Sequence, residues 1–81
     1  FVPAGYKVTG FEVFSSQNRA IQALSSRVSN DTITSVGTGT ANTFQSITAW
    51  NSVDGDYFIL TYEIGASTDE IYGAELHIAL I

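Results

Sequence analysis

The chain has 81 residues, three basic and eight acidic side chains for a net charge of −5, one histidine and no cysteine. That length carries a single domain, since compact domains usually run to roughly 100 to 200 residues, and three cations are too few for the phosphate contacts of a nucleic-acid grip. Hydrophobic content of 44% against 14% charged residues excludes disorder, and no apolar run approaches the roughly 18 residues of a membrane-spanning helix.

A chain this short buries only about 60% of the surface that its unfolded form exposes and normally needs disulfides, a metal or partner chains. Without thiols and with a single imidazole, support is expected from other copies or from a longer polypeptide, of which residues 1–81 read as the C-terminal part. No signal-peptide pattern opens the chain, and the absence of cysteine fits either a reducing cytoplasm or a particle without redox chemistry. Nine serines, nine threonines, seven glycines and four asparagines stand among many Ile, Val, Phe and Tyr. Short strands joined by tight turns use that mixture.

In chain order, Val2-Pro3-Ala4-Gly5 reads as an extended lead-in, because Pro3 fixes its own φ and biases Val2 away from helix. A strand follows from Tyr6 to about Ser15, with Val8 and Phe14 on one face and Phe11 and Val13 on the other. Arg19 to Val28 spaces Ile21, Leu24 and Val28 as a helix would, but leaves room for only about two turns, so a strand is expected. After a turn at Ser29-Asn30-Asp31, Thr32 to Val36 is a short β-branched strand running into Gly37-Thr38-Gly39-Thr40-Ala41-Asn42, a turn or an edge segment. Thr43 to Trp50 is a further strand. Asn51 to Asp56 is a loop centred on Asp54-Gly55-Asp56, a tight-turn signature.

Tyr57 to Ile64 alternates Phe58, Leu60, Tyr62 and Ile64 against Tyr57, Ile59, Thr61 and Glu63. After a turn over 65–70, the last strand alternates Tyr72, Ala74, Leu76, Ile78 and Leu80 against Gly73, Glu75, His77, Ala79 and Ile81. Phe58, Leu60, Tyr62 and Ile64 facing Leu76, Ile78 and Leu80 are therefore the expected centre of the core. Six short strands predict an all-β fold, a small antiparallel β-sandwich of jelly-roll-like type. On the opposite face, Phe11, Val13, Tyr57, Ile59, Ala79 and Ile81 form a second apolar set, which a monomer would leave wet and which is expected to meet other copies.

Chemistry-bearing residues are sparse. His77 with Glu75 on the same side is a minimal acid–base pair, but no G-x-S-x-G elbow accompanies it, and an exposed or interface position is the plainer reading. Asp54 and Asp56, or Asp69 and Glu70, could offer oxygen ligands to Ca²⁺, yet the spacing falls short of a cation loop and solvated turn acids are expected. Asn30-Asp31-Thr32 matches a glycosylation sequon, meaningful only in a eukaryotic secretory pathway. Trp50 with Tyr6 and Tyr57 could form an aromatic platform for sugar rings; otherwise the indole plugs one end of the sandwich with its N–H bonded to loop backbone. No catalytic residue, cofactor site or metal site is assigned.

The opening VPAGYKVTGFEVFSS, the central GTG and the closing TDEIYG resemble a group of small structural proteins from marine tailed bacteriophages. Matching positions are Pro3, Gly5, Tyr6, Lys7 and Thr9, then Gly37, Thr38 and Gly39, then Tyr57 and Ile59, and finally Thr68 through Gly73. The likeness spans nearly the whole chain and rests on turn and strand signatures. It departs at Ala74-Glu75-Leu76, where the group tends toward Gly-Tyr-Val, and at Ala23-Leu24-Ser25. The resemblance implies a non-enzymatic virion component on the particle surface, a capsid-decoration or head-fibre module. Its implied partners are itself, as a trimer by analogy with such proteins, and other virion proteins. A tail-fibre module binding a host receptor or surface glycan is the alternative.

Overall fold

A computed structural model describes residues 1–30 and 32–81. Six strands are present: β1 (Tyr6–Ser15), β2 (Ala20–Ser26), β3 (Ile33–Thr40), β4 (Gln45–Asn51), β5 (Tyr57–Tyr62) and β6 (Ile71–Leu80). They form two three-stranded antiparallel sheets, ordered β4-β1-β6 and β3-β2-β5, packed as a small β-sandwich. The segment with helix-like spacing is strand β2, because Ile21, Ala23 and Ser25 alternate inward while Ala20 and Gln22 face solvent. Asp31, which belongs to the expected turn and to the sequon, lies outside the described residues.

The central strands are β1 and β2, not the two with the cleanest alternation. Phe11, Val13, Ile21, Ala23 and Ala41 form one buried cluster, and Val2, Val8 and Trp50 form another; Val36, Ile47 and Phe58 pack against both. The expectation that β5 facing β6 makes the centre of the core is corrected: each is the edge strand of its sheet and supplies none of the residues of these two buried clusters. Phe58, Leu60 and Tyr62 are half-buried and point inward, but Ile64 is exposed beyond the end of β5, and Leu76, Ile78 and Leu80 are 38%, 51% and 71% exposed. Period-two alternation tells which face of a strand is apolar; it does not tell whether another layer covers that face.

A bulge explains the second correction. Along β1, Val8 pairs with Ile78 and Gly10 with His77, so Thr9 is an extra residue with no counterpart on β6. Val8 and Phe11, three positions apart, thereby share the inner face. Phe11 at 1% exposure and Val13 at 5% are core residues of the single chain, not parts of an outer interface.

The sandwich closes on one side only. Gly37 and Gly39 lie inside β3, the edge strand facing β4, so the edge-segment reading of that stretch applies and the turn falls after it. A Cβ on Gly37 would stand 2.8 Å from Ile47 Cγ2, and one on Gly39 would stand 3.1 Å from Gln45 Cβ. Missing side chains here let the two sheets touch through β3 and β4. At the opposite side, β5 and β6 stay apart, and the section is a wedge with an apolar mouth. The ends of the chain meet near one pole, where Val2 bridges Asp56 and the Ile81 N–H donates to the Gly5 carbonyl at 3.0 Å.

Phe11→Ala should cost about 3 to 5 kcal/mol through the cavity it leaves, and Gly37→Val about 1 to 3 kcal/mol through overpacking against Ile47. Leu80→Ala should cost a dilute, monomeric chain less than about 1 kcal/mol, because that side chain is already largely in water. Urea unfolding of the three variants at low protein concentration checks the order.

Candidate functional site

Two buried carboxylates hold the connections between the sheets. Asp56 ends the loop that carries the chain from β4 in one sheet to β5 in the other. Its side chain is fully enclosed; it accepts from the backbone N–H of Val53 at 3.0 Å and of Val28 at 3.1 Å, and from Arg27 Nη1 at 2.7 Å. The Asp56 N–H donates to Ser52 Oγ, and that hydroxyl donates to the Val2 carbonyl at 2.6 Å. Arg27 also donates to the Asn51 carbonyl, and its guanidinium lies 5.1 Å over the Trp50 ring. One residue thus ties the N-terminal lead-in, the end of β2 and the β4–β5 crossover together.

The expectation of solvated turn acids holds for Asp54, which is exposed, and is corrected for Asp56, which is enclosed among N–H donors that already engage both of its oxygens. The loop joins different sheets.

Asp69 performs the equivalent task in the β5–β6 connection. It takes both guanidinium arms of Arg19, at 2.9 and 3.1 Å, and the N–H groups of Gly65 and Ala66. Ser16 and Glu70 add a reciprocal pair, Ser16 N–H to the Glu70 carbonyl and Glu70 N–H to Ser16 Oγ. The backbone N–H of Val53, then that of Val28 and the Arg27 charge, hold the Asp56 carboxyl down at about 2 against the opposing effect of burial. Arg19 first, then the Gly65 and Ala66 N–H groups, hold Asp69 down at about 2.

The remaining sequence candidates separate. Trp50 is buried against Val8 and Phe58, and its Nε1 has no hydrogen-bond partner among the described residues. It plugs the sandwich as one of the two readings expected, without the loop bond that reading included. Tyr6 packs on the same inner cluster, whereas Tyr57 lies exposed with Phe1 edge-on against it at 5.4 Å. No common platform of Trp50, Tyr6 and Tyr57 is formed.

His77 sits on the outer face of the first sheet. Its ring is 4.6 Å from that of Phe44, which covers Gly10, and its Nε2 is 3.8 Å from Glu75 Oε2. An added Cβ at Gly10 would stand 2.8 Å from Phe44 Cε2, so this glycine is what lets Phe44 lie down on the sheet.

Of the six expected interface residues, Phe11 and Val13 are in the core. Tyr57 and Ile59 lie on the outer face of the second sheet, and Ala79 and Ile81 are exposed on or just beyond β6. They do not compose one surface. What the structure presents instead is β6 itself: all ten of its residues are exposed, and Ile71, Tyr72, Leu76, Ile78 and Leu80 among them are large and apolar. Monomeric proteins rarely display such a continuous apolar strip unless it meets a partner. The alternation of residues 72–80 carries the sequence signal for it, in the same form as the signal for a core face.

No family model, curated protein or solved structure matches the chain.

Both latches act as charged carboxylates. A folded-state value of about 2 below an ordinary value of 3.8 means that their stabilisation is complete above about pH 4 and is lost as pH falls toward 2. The melting temperature should therefore drop steeply between pH 4 and pH 2, and the Asp56→Asn and Asp69→Asn variants should each melt lower at pH 7 and show a shallower acid dependence. Thermal melts across pH 2 to 7 read this directly.

Proposed function

We propose that the chain is a structural module of a bacteriophage virion, displayed on the particle surface as a capsid-decoration or head-fibre element, with no catalytic role. The observation that carries this reading is the uncovered apolar strand β6 on a small acidic sandwich whose charged side-chain pairs go into holding loops. Such a body suits assembly with copies of itself and with other virion proteins. The likeness of the Pro3–Thr9, Gly37–Gly39 and Thr68–Gly73 segments to phage structural proteins points the same way. Those segments have identifiable structural jobs: the first opens β1, the second closes the wedge, and the third carries the Asp69 latch into β6.

A tail-fibre module contacting a host-surface glycan is the second reading. Its intended platform of Trp50, Tyr6 and Tyr57 is not assembled. A shallow, open depression over the second sheet, lined by Gln22, Thr38, Thr61 and Glu63, is the place where sugar hydroxyls would find polar partners.

Purified particles of the virus whose genome encodes the chain should contain it in many copies at symmetry-related head positions, as resolved by a particle reconstruction. Density at the tail tip alone would favour the glycan-binding reading. Absence of the chain from purified particles would overturn both.

A further inference from the structure

Among the described residues, β6 pairs with β1 along one side and with no strand along the other. The Ile81 N–H goes to Gly5, and the His77 carbonyl accepts from the Thr9 hydroxyl, so the odd-numbered residues of this strand turn their backbone groups toward β1. Between Gly73 and Ile81 the alternation of an antiparallel ladder then directs those of Ala74, Leu76, Ile78 and Leu80 out of the sheet edge, and beyond Gly73 an extra residue, Tyr72, interrupts it. An edge with unpaired donors and acceptors and apolar side chains is a template for another strand.

The order of side chains along that edge says which strand. Read outward from Leu76, Glu75 is mirrored by His77, and Ala74 and Gly73 by the apolar Ile78 and Ala79. We infer that β6 pairs antiparallel with β6 of a second copy about a two-fold axis through Leu76. In that register Glu75 faces His77 of the second copy on the outer side, and His77 faces its Glu75. Gly73 faces Ala79 and Ala74 faces Ile78, the regular pairing ending at the extra residue Tyr72. Every apolar position meets an apolar one, and the acid meets the imidazole twice. The neighbouring registers that keep even-numbered residues opposite each other set Glu75 against Glu75 or His77 against His77, and so lose the acid–imidazole match.

The two-fold contact has further consequences in the fold. It joins the two β4-β1-β6 sheets into one of six strands and brings the open wedge mouths together, so that Leu76, Ile78 and Leu80 of both copies close over Phe58 and Leu60. Because the contact is isologous, each copy uses up its β6 edge and growth stops at two. A three-fold assembly through Phe11 and Val13 is not available, since those side chains lie in the core. The contact is a property of the isolated chain and goes beyond the virion reading, and its test needs no particle.

Cysteine scanning tests the register, and the chain offers a background free of native thiols. Gly73 opposite Ala79 of the second copy is a non-hydrogen-bonded pair, with Cα atoms expected about 4.5 Å apart, inside the disulfide range. Within one chain, the same two positions lie six residues apart along an extended strand, about 20 Å, too far to bridge. A Cβ at Gly73 meets nothing within 4 Å. Under mild oxidation Gly73→Cys/Ala79→Cys should run as a covalent dimer on a non-reducing gel, and neither single variant should.

Charge exchange gives an independent reading by sedimentation. His77→Glu, which sets carboxylates opposite each other twice, should weaken the dimer about tenfold, and the swap Glu75→His/His77→Glu should restore it. A folded chain that sediments as a monomer or a trimer overturns the proposal. So does a folded double-cysteine variant that fails to cross-link, or a dimer indifferent to both the charge reversal and the swap, which would mean that the copies meet elsewhere.

Discussion

The extra residue in β1 organises the rest of the molecule. A strand of regular pleat would set Val8 and Phe11 on opposite faces and leave neither sheet with a complete apolar surface. By absorbing Thr9 as a bulge, β1 aims Val8, Phe11 and Val13 at the same layer, and the second sheet has something to pack on. Ile21 and Ala23 of β2 answer from across the interface, and Trp50 fills the end next to Val8. The core is thin, as expected of 81 residues, and it lies around the two central strands.

A thin core leaves the connections to be secured by other means. All but one of the links between successive strands cross from one sheet to the other, and such crossovers carry backbone groups that no ladder satisfies. Asp56 and Asp69 supply acceptors at two of them, each drawing in one arginine and two backbone N–H groups. Buried ion pairs are poor sources of net stability, because desolvation offsets their attraction. Their value here is geometric: a carboxylate with several fixed donors specifies one loop path among many.

The six strands, their approximate limits and the sandwich class were legible from turn residues and alternation alone. Even the helix-like run at Ile21–Val28 resolved correctly, since two turns of helix could not have buried Ala23 and Ser25 between neighbouring strands. What was not legible was position within a sheet. β5 and β6 advertise apolar faces as strongly as any core strand, and only the pairing partners, set by contacts distant in sequence, reveal them as edges. The bulge was equally invisible, because Thr9 is an ordinary strand residue and its extra place is defined only against Ile78 and His77. The enclosure of Asp56 is hidden for a related reason: Asp-Gly-Asp signals a turn, but beside the local Val53 N–H the donors that enclose the second acid come from Val28 and Arg27, nearly thirty residues upstream. The GTG segment was read as either a turn or an edge, and its role in closing the wedge depends on Ile47 and Gln45 across the gap.

The pairing of the two chain ends bears on how the module would carry a mechanical load. Tyr6 lies opposite Leu80 at the start of the β1–β6 ladder, and Ile81 is bonded to Gly5 just before it. Tension applied between the termini would open that ladder like a zip, one rung at a time, a geometry of low resistance compared with shearing two strands past each other. The Val2–Asp56 bridge, backed by Ser52, is placed to take the first of that pull on the N-terminal side. A pull from one side alone would leave the ladder unstressed, whereas opposed pulls on Phe1 and Ile81 would load its rungs in turn.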